Sequence, residues 1–265
     1  MPNSLKPWFT GLLLALAALL LPTRVHAAPE LAAEELRAIL AGASAATPAD
    51  LTGRDLSDLD LSGLDFRNAR LQGVSFFGSK LVNSDFRGSD LRSANLNGAW
   101  LMGTNFSGAD LTDASLLSVV VLGGEVKARP TFKGAKMQGV KMIADLPGAD
   151  LAGADLSRSR IGVNIKNQGM GQMRTDLTGA NLAGASLAGA DVNRSLMPFA
   201  NLKGADLRGA NFFRVKLAGA DLSGADVTGT DFSEADLDGA DLRGVKGLDK
   251  ARGLESAEGY DRALR

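Results

Sequence analysis

The 25 residues Ala220–Gly244 read ADLSG ADVTG TDFSE ADLDG ADLRG, five consecutive copies of one five-residue word. A small residue opens each copy, Asp follows, a large apolar residue stands third, and glycine usually closes it. Five residues advance an α-helix by about 500°, so a period of five drifts and holds no single buried face. A continuous strand alternates with period two, so an odd period throws successive leucines to opposite faces. The chain must therefore turn once per word. The small and the large residue point inward together, the Asp or Asn between them points out, and the last two residues make a corner. Glycine accepts tight or left-handed backbone geometry there without steric cost.

The same word extends far upstream. A Leu, Phe or Val recurs every five residues from Leu51 to Val121, and the same word with a large apolar third residue returns at Leu146, Leu151, Leu156 and Ile161 and runs on from Leu177 to Leu242. Phe66, Phe86 and Phe106 are twenty residues apart, as are Phe212 and Phe232. That second period predicts four sides per turn with like rings stacked above one another. Stacked short strands of this kind bury one continuous core. On these residues the chain resembles the pentapeptide-repeat proteins, over about residues 49–244. The resemblance implies an all-β fold, a right-handed quadrilateral β-helix of about nine coils. It also implies a protein without enzymatic activity. Some members of that family mimic duplex DNA and bind type II topoisomerases, and some dimerise end to end through the C-terminus.

Composition removes several chemistries. There is no cysteine and one histidine, His26, so disulfides, thiolate metal sites and the usual general base are absent from the repeats. No metal, cofactor or catalytic residue is expected. The 29 basic residues nearly balance the 30 acidic ones, which argues against nucleic acid as a partner. Outward arginines and lysines such as Arg67, Arg87, Arg92, Lys203, Arg208, Arg214 and Arg243 interrupt the aspartates. The DNA-mimicking, topoisomerase-binding alternative lacks the strongly negative surface it needs. A glycan-binding or glycan-active β-helix is the other alternative. The stacked pairs Asp206/Asp226 and Asp221/Asp241 are its only acid–base candidates, and hydrogen bonds to nearby backbone explain such aspartates more economically.

Residues 1–27 read as a signal peptide. Lys6 precedes a fourteen-residue apolar stretch, Trp8 to Leu21, then Pro22 and Val25-His26-Ala27. The stretch is short of the ~20 residues a membrane span needs, and cleavage is expected after Ala27. Removing Lys6 and Arg24 leaves 27 basic against 30 acidic residues. The expected location is periplasmic or secreted, with no stable membrane span after cleavage. Residues 28–48 form a capping helix (29–42, with Leu31, Leu36, Ile39 and Leu40 as its apolar stripe) and a linker. The solenoid, 49–244, is interrupted at 122–131 and 162–176. Gly169 and Gly171 in the second interruption lack the rest of a nucleotide-binding fingerprint. In the tail, 245–265, Leu248, Ala251, Leu254, Ala257 and Leu264 suggest a short helix that caps the last coil, or a homodimer contact through the C-terminal end.

Residues twenty apart share a side, which allows the outward positions to be sorted. Val82, Trp100, Met102, Val120 and Leu122 line one face, with Phe77 and Leu117 on the preceding one, and together they form a candidate protein-binding surface. Fold-back of the first interruption would cover it. Leu196, Pro198 and Phe199 form a smaller cluster. Lys127, Arg129, Lys133, Lys136 and Lys141 make a candidate basic patch, with charge spread over both sides of the coil as the plainer reading. The expected function is an exported scaffold for an unknown envelope protein.

Overall fold

The sides of the solenoid pair in register, as the twenty-residue period requires. In the computed structural model, which describes residues 33–44, 46–121, 128–162 and 174–265, Asp50 forms a parallel bridge with Arg70, Arg70 with Asp90, and Asp90 with Asp110. Three further columns start at Asp55, Asp60 and Asp65. We number these faces one to four in chain order. Each side contributes a single bridging residue before the chain turns, so few sides reach the length of a strand. Only β1 (Ser115–Leu117) and β2 (Lys141–Ile143) do so among the described residues, and they pair in parallel.

The inward residues form one core. The third-position Leu, Phe and Val residues and most of the small first-position residues are buried from Ala49 to Leu242. Phe66, Phe86, Phe106 and Phe132 stack in one column with ring centroids 4.6, 5.0 and 5.1 Å apart, which carries the core across the first interruption. Phe212 and Phe232 meet at 5.6 Å, tilted rather than parallel. Ser or Thr replaces the small residue at several positions; Ser89 donates to Phe86 O in its own coil at 2.7 Å, whereas others reach a leucine carbonyl in the preceding coil. Ser79 reaches Leu56 O at 2.6 Å, Thr104 reaches Leu81 O at 2.7 Å and Thr230 reaches Leu207 O at 2.7 Å. Among the described residues the buried hydroxyls of Ser159 and Ser195 find no partner; the carbonyl equivalent for Ser195, Ile161 O, accepts from Thr175 Oγ1 at 2.8 Å.

The interruptions shift the register without ending the ladder. Asn105 pairs with Thr131 and Thr131 with Asp150, so a long step is followed by a short one; Asp145 then pairs with Asp176 across the second insertion. Thr131 and Asp176, assigned from the sequence to the interruptions, therefore already belong to the coils. At the N-terminal end α1 spans Ala33–Ala41, and Gly42 N donates to Ala38 O at 3.1 Å. Leu36 is buried in the common core, with Ile39 and Leu40 packed against it. Residues 1–32, including the segment read from the sequence as a signal peptide, lie outside the described residues.

The tail differs from the single helix suggested by its apolar spacing. It forms three short 3-10 turns, Leu248–Lys250, Leu254–Ser256 and Tyr260–Arg262. Between them Lys246, Arg252, Glu258 and Leu264 bridge to Asp226, Asp231, Asp236 and Asp241. The tail is therefore paired as a further turn around the solenoid, with six residues per side.

Candidate binding face

The outward aspartates and asparagines hold the corners. Where Asp or Asn stands at the bridging position the side-chain oxygen accepts the backbone N–H two residues on, as in Thr52 N to Asp50 Oδ1 at 3.1 Å and Ser223 N to Asp221 Oδ1 at 2.8 Å; Asp145, followed by Pro147 with no N–H to give, is the exception among the described residues. This satisfies a corner donor and fixes the turn. Where Arg stands two residues after Asp, the guanidinium folds back onto the same carboxylate, at 2.6 Å for Arg67–Asp65 and Arg87–Asp85 and 2.7 Å for Arg208–Asp206. These local pairs neutralise the surface of faces four and one. The carboxylates proposed as acid–base candidates, Asp206, Asp221, Asp226 and Asp241, all serve as corner acceptors.

Face three is different. Faces one, two and four present polar or charged bridging residues along their length, and Leu264 at the very end is their exception among the described residues. The bridging column of face three runs Asp60, Lys80, Trp100, Val120, then Asp145, Asp176, Leu196, Lys216 and Asp236. Its entering corner carries Phe77, Leu117, Ile143 and Phe213, and its leaving corner Val82, Pro147, Pro198 and Phe199. Phe77, Trp100 and Phe199 are 51, 39 and 71% exposed. The two apolar clusters singled out in the sequence thus lie on one face. Between them Val120 and Asp145 form no bridge, and the two insertions fall at the corners on either side of this face. Asp145 lies against Asp176, and burial first and that neighbouring charge second push its carboxyl up, partly offset by Arg129.

Met102 is corrected. Parity along the chain points it outward, but it is 3% exposed and belongs to no docking surface. The chain re-enters the solenoid beside it, where Gly103 N donates to Ala128 O at 2.8 Å. Of the two readings of the basic residues, the candidate patch gives way to charge spread around the coil. Lys136 sits on face one paired with Asp110 at 3.7 Å, Lys141 on face two, and Lys133 at the corner between faces four and one. Arg129 lies over Gly148, on the corner leaving face three. A chain that turns every five residues distributes neighbouring lysines around the coil. Leu122 and Lys127 lie outside the described residues.

Phe199, a member of the smaller apolar cluster, stands where glycine usually does. Its φ is 58°, and a Cβ on Gly219 would meet its ring at 2.7 Å, so the ring lies across the bare α-carbon of the next coil. A bulky residue in left-handed geometry costs about 1–2 kcal/mol, and this one also exposes its ring. Nearby, Phe213 is flanked by Arg194 and Arg214, whose guanidinium carbons lie 5.9 and 4.9 Å from its centroid. Arg214 is further held by Glu234 at 2.6 Å.

Pentapeptide repeats match the chain in eight copies, over residues 49–81, 69–108, 90–118, 175–214 and 210–246. The chain belongs to the pentapeptide-repeat family. HetL, a pentapeptide-repeat protein involved in heterocyst differentiation regulation in the cyanobacterium Nostoc sp. strain PCC 7120, is 30% identical, with 86% of this chain and 92% of HetL covered and a TM-score of 0.38. Rfr23 from the cyanobacterium Cyanothece 51142 is 27% identical over 45% of this chain and 90% of its own, at a TM-score of 0.24. Full-length QnrB1, a plasmid-mediated fluoroquinolone resistance protein, is 20% identical over 77% and 92%, at 0.30. None of the curated proteins compared matches the chain. Among the described residues no helix is long and apolar enough to cross a membrane, and no group of His, Cys, Asp or Glu could hold a metal ion.

The pentapeptide corners carry a pH dependence. Hydrogen bonds from Arg243, the guanidinium first and the backbone N–H second, hold Asp241 down at about 2, against 3.8 for an ordinary Asp. Asp50, Asp55, Asp60 and Asp226 are lowered by the hydroxyl and then the N–H of the residue two positions on. A carboxyl lowered by folding contributes stability that is fully present above the unfolded value and is lost as pH falls through the folded one. Thermal melts by circular dichroism are expected to hold a steady midpoint at neutral pH and to drop steeply between about pH 4 and pH 2. A midpoint unchanged across that window would remove the corner carboxylates from the account.

Proposed function

We propose that this chain is an exported, non-enzymatic protein-binding scaffold that engages a partner of the bacterial envelope through face three. The observation that carries the reading is the concentration of outward apolar residues on that one face and its corners. Faces one and four carry local Asp–Arg pairs at Asp65, Asp85, Asp90, Asp206 and Asp241, and face two is polar along its bridging column. Exposed apolar clusters rimmed by polar residues mark interaction sites. Phe199 strengthens the reading, because it combines left-handed backbone with an exposed ring at a position where glycine would remove both costs.

The scaffold is a right-handed quadrilateral β-helix of about nine pentapeptide coils. Its first coil is capped by α1. Its rigidity suits a fixed docking platform, and the insertions flanking face three suit recognition, since loops on a regular solenoid often carry binding. Export rests on the apolar run after Lys6 and the small residues around Ala27. The neutralised surface runs against DNA mimicry.

The double variant Trp100→Ser/Phe199→Gly tests the reading. Truncating aromatic anchors typically costs 2 kcal/mol or more of binding, so capture of a partner from periplasmic extract should fall by roughly thirtyfold or more. The far-UV spectrum should be unchanged, because neither side chain is part of the core. Control changes at Arg208 and Arg243, on the other side of the solenoid, should leave capture intact. Undiminished capture by the folded double variant would refute face three as the docking surface.

A further inference from the structure

The last coil is built on a different rule from those before it. From Val245 the word lengthens to six residues, V-K-G-L-D-K, A-R-G-L-E-S, A-E-G-Y-D-R. In a regular side the residue after the bridging one is a buried Leu, Phe or Val. Here it is Gly247, Gly253 or Gly259, with φ of 70, 72 and 68°. A Cβ at these positions would lie 2.8 Å from Thr228 Cα, 2.5 Å from Ser233 Cα and 2.6 Å from Asp238 Cα. The chain is thus pressed onto the preceding coil at three successive corners.

The large apolar side chain has moved one residue on, to Leu248, Leu254 and Tyr260, which pack half-buried against the core from the 3-10 turns. The backbone donors change as well. A regular side sends two N–H groups onward to the following coil, as Leu222 to Asp241 O at 2.9 Å and Gly224 to Arg243 O at 3.0 Å. A regular side spends one further donor within its turn, as Ala225 to Leu222 O at 2.9 Å, whereas each six-residue side spends two, adding Lys250 to Gly247 O, Ser256 to Gly253 O and Arg262 to Gly259 O at 3.0, 3.1 and 3.0 Å. An open solenoid end is a template for another chain; this one is bent into turns and covered by Leu and Tyr.

We propose that residues 245–265 form a terminator that denies the C-terminal edge to a second copy of the chain. Its coil replaces the end-to-end dimer contact expected there and leaves the lateral faces as the surfaces available for association. The decisive variant keeps the full chain but replaces 245–265 with a second copy of residues 225–244, a regular coil that should fold by extending the ladder. Sedimentation velocity over a roughly hundredfold concentration range is expected to give a constant mass for the wild type. The variant's weight-average mass should rise toward about twice that value. Adding Trp100→Ser to the variant should leave this association in place, which separates it from docking through face three. A folded variant with wild-type mass throughout, or association abolished by Trp100→Ser, would overturn the proposal. If the variant does not fold, truncation after Gly244 is read in the same way. Failure of both to fold would make the coil a folding requirement rather than a terminator, and would equally overturn it.

Discussion

Gly253→Val is expected to open the last coil, with a loss of at least about 3 kcal/mol in its local stability. Two costs add at this position. Left-handed geometry disfavours a β-branched residue by about 1–2 kcal/mol, and the new Cβ would stand 2.5 Å from Ser233 Cα, a backbone atom that cannot swing aside. Gly224→Ala is the matched control. Gly224 has a φ of 70°, but a Cβ there meets nothing within 4 Å, so only the left-handed backbone cost of about 1–2 kcal/mol applies. Hydrogen exchange should show the amides of Arg252, Glu258 and Leu264, which donate to Thr230, Ala235 and Ala240, losing protection in the first variant and keeping it in the second. Equal effects of the two substitutions would mean that the close approach of the coils at Ser233 does not exist.

Phe106→Ala is expected to cost about 3–5 kcal/mol, the range for deleting a buried aromatic ring. Its ring is stacked between Phe86 at 5.0 Å and Phe132 at 5.1 Å, and it spans the level at which the first insertion leaves the solenoid. In a solenoid each coil contacts only its neighbours, so a defect here should weaken coupling between the two parts of the repeat array. Chemical denaturation monitored by circular dichroism is expected to change from one transition to two. Phe106→Leu, which fills more of the space, should cost less and keep a single transition. A single wild-type transition for Phe106→Ala would show that the column does not carry the core across the insertion.

The fold was legible because a period of five admits few solutions. The twenty-residue spacing of Phe66, Phe86 and Phe106 sufficed to predict four faces, and the bridges repeat that spacing except across the two insertions, the four-residue side from Lys141 to Asp145 and the six-residue sides of the tail. The role of the aspartates as corner acceptors was equally legible, since it is local chemistry within one repeat. The tail was not. Leu248, Ala251, Leu254 and Ala257 fall three apart, which reads as the stripe of a helix. The spacing arises instead from Ala on each short side alternating with Leu in each 3-10 turn. The cue lay in Gly247, Gly253 and Gly259, six residues apart.

The site was legible in part. Sorting outward residues by twenties placed Val82, Trp100 and Val120 on one face, and the structure adds Phe199, Phe213 and Ile143 to that face and its corners. Met102 could not be read correctly, because its burial depends on where the chain returns after an insertion, a contact that no periodicity encodes. For the lysines between 127 and 141 the plainer sequence reading, charge spread over both sides of the coil, is the one the structure matches, because a turn every five residues sends Lys136 and Lys141 to different faces.

Docking through face three is the central claim, and site-specific photocrosslinking tests it most directly. A photoreactive phenylalanine analogue placed at Val82, beside Trp100, would be compared in the producing cells with the same analogue at Arg243, between faces four and one. The account predicts a discrete adduct from position 82 and none from position 243. Adducts of equal yield from both positions, or from position 243 alone, would contradict it.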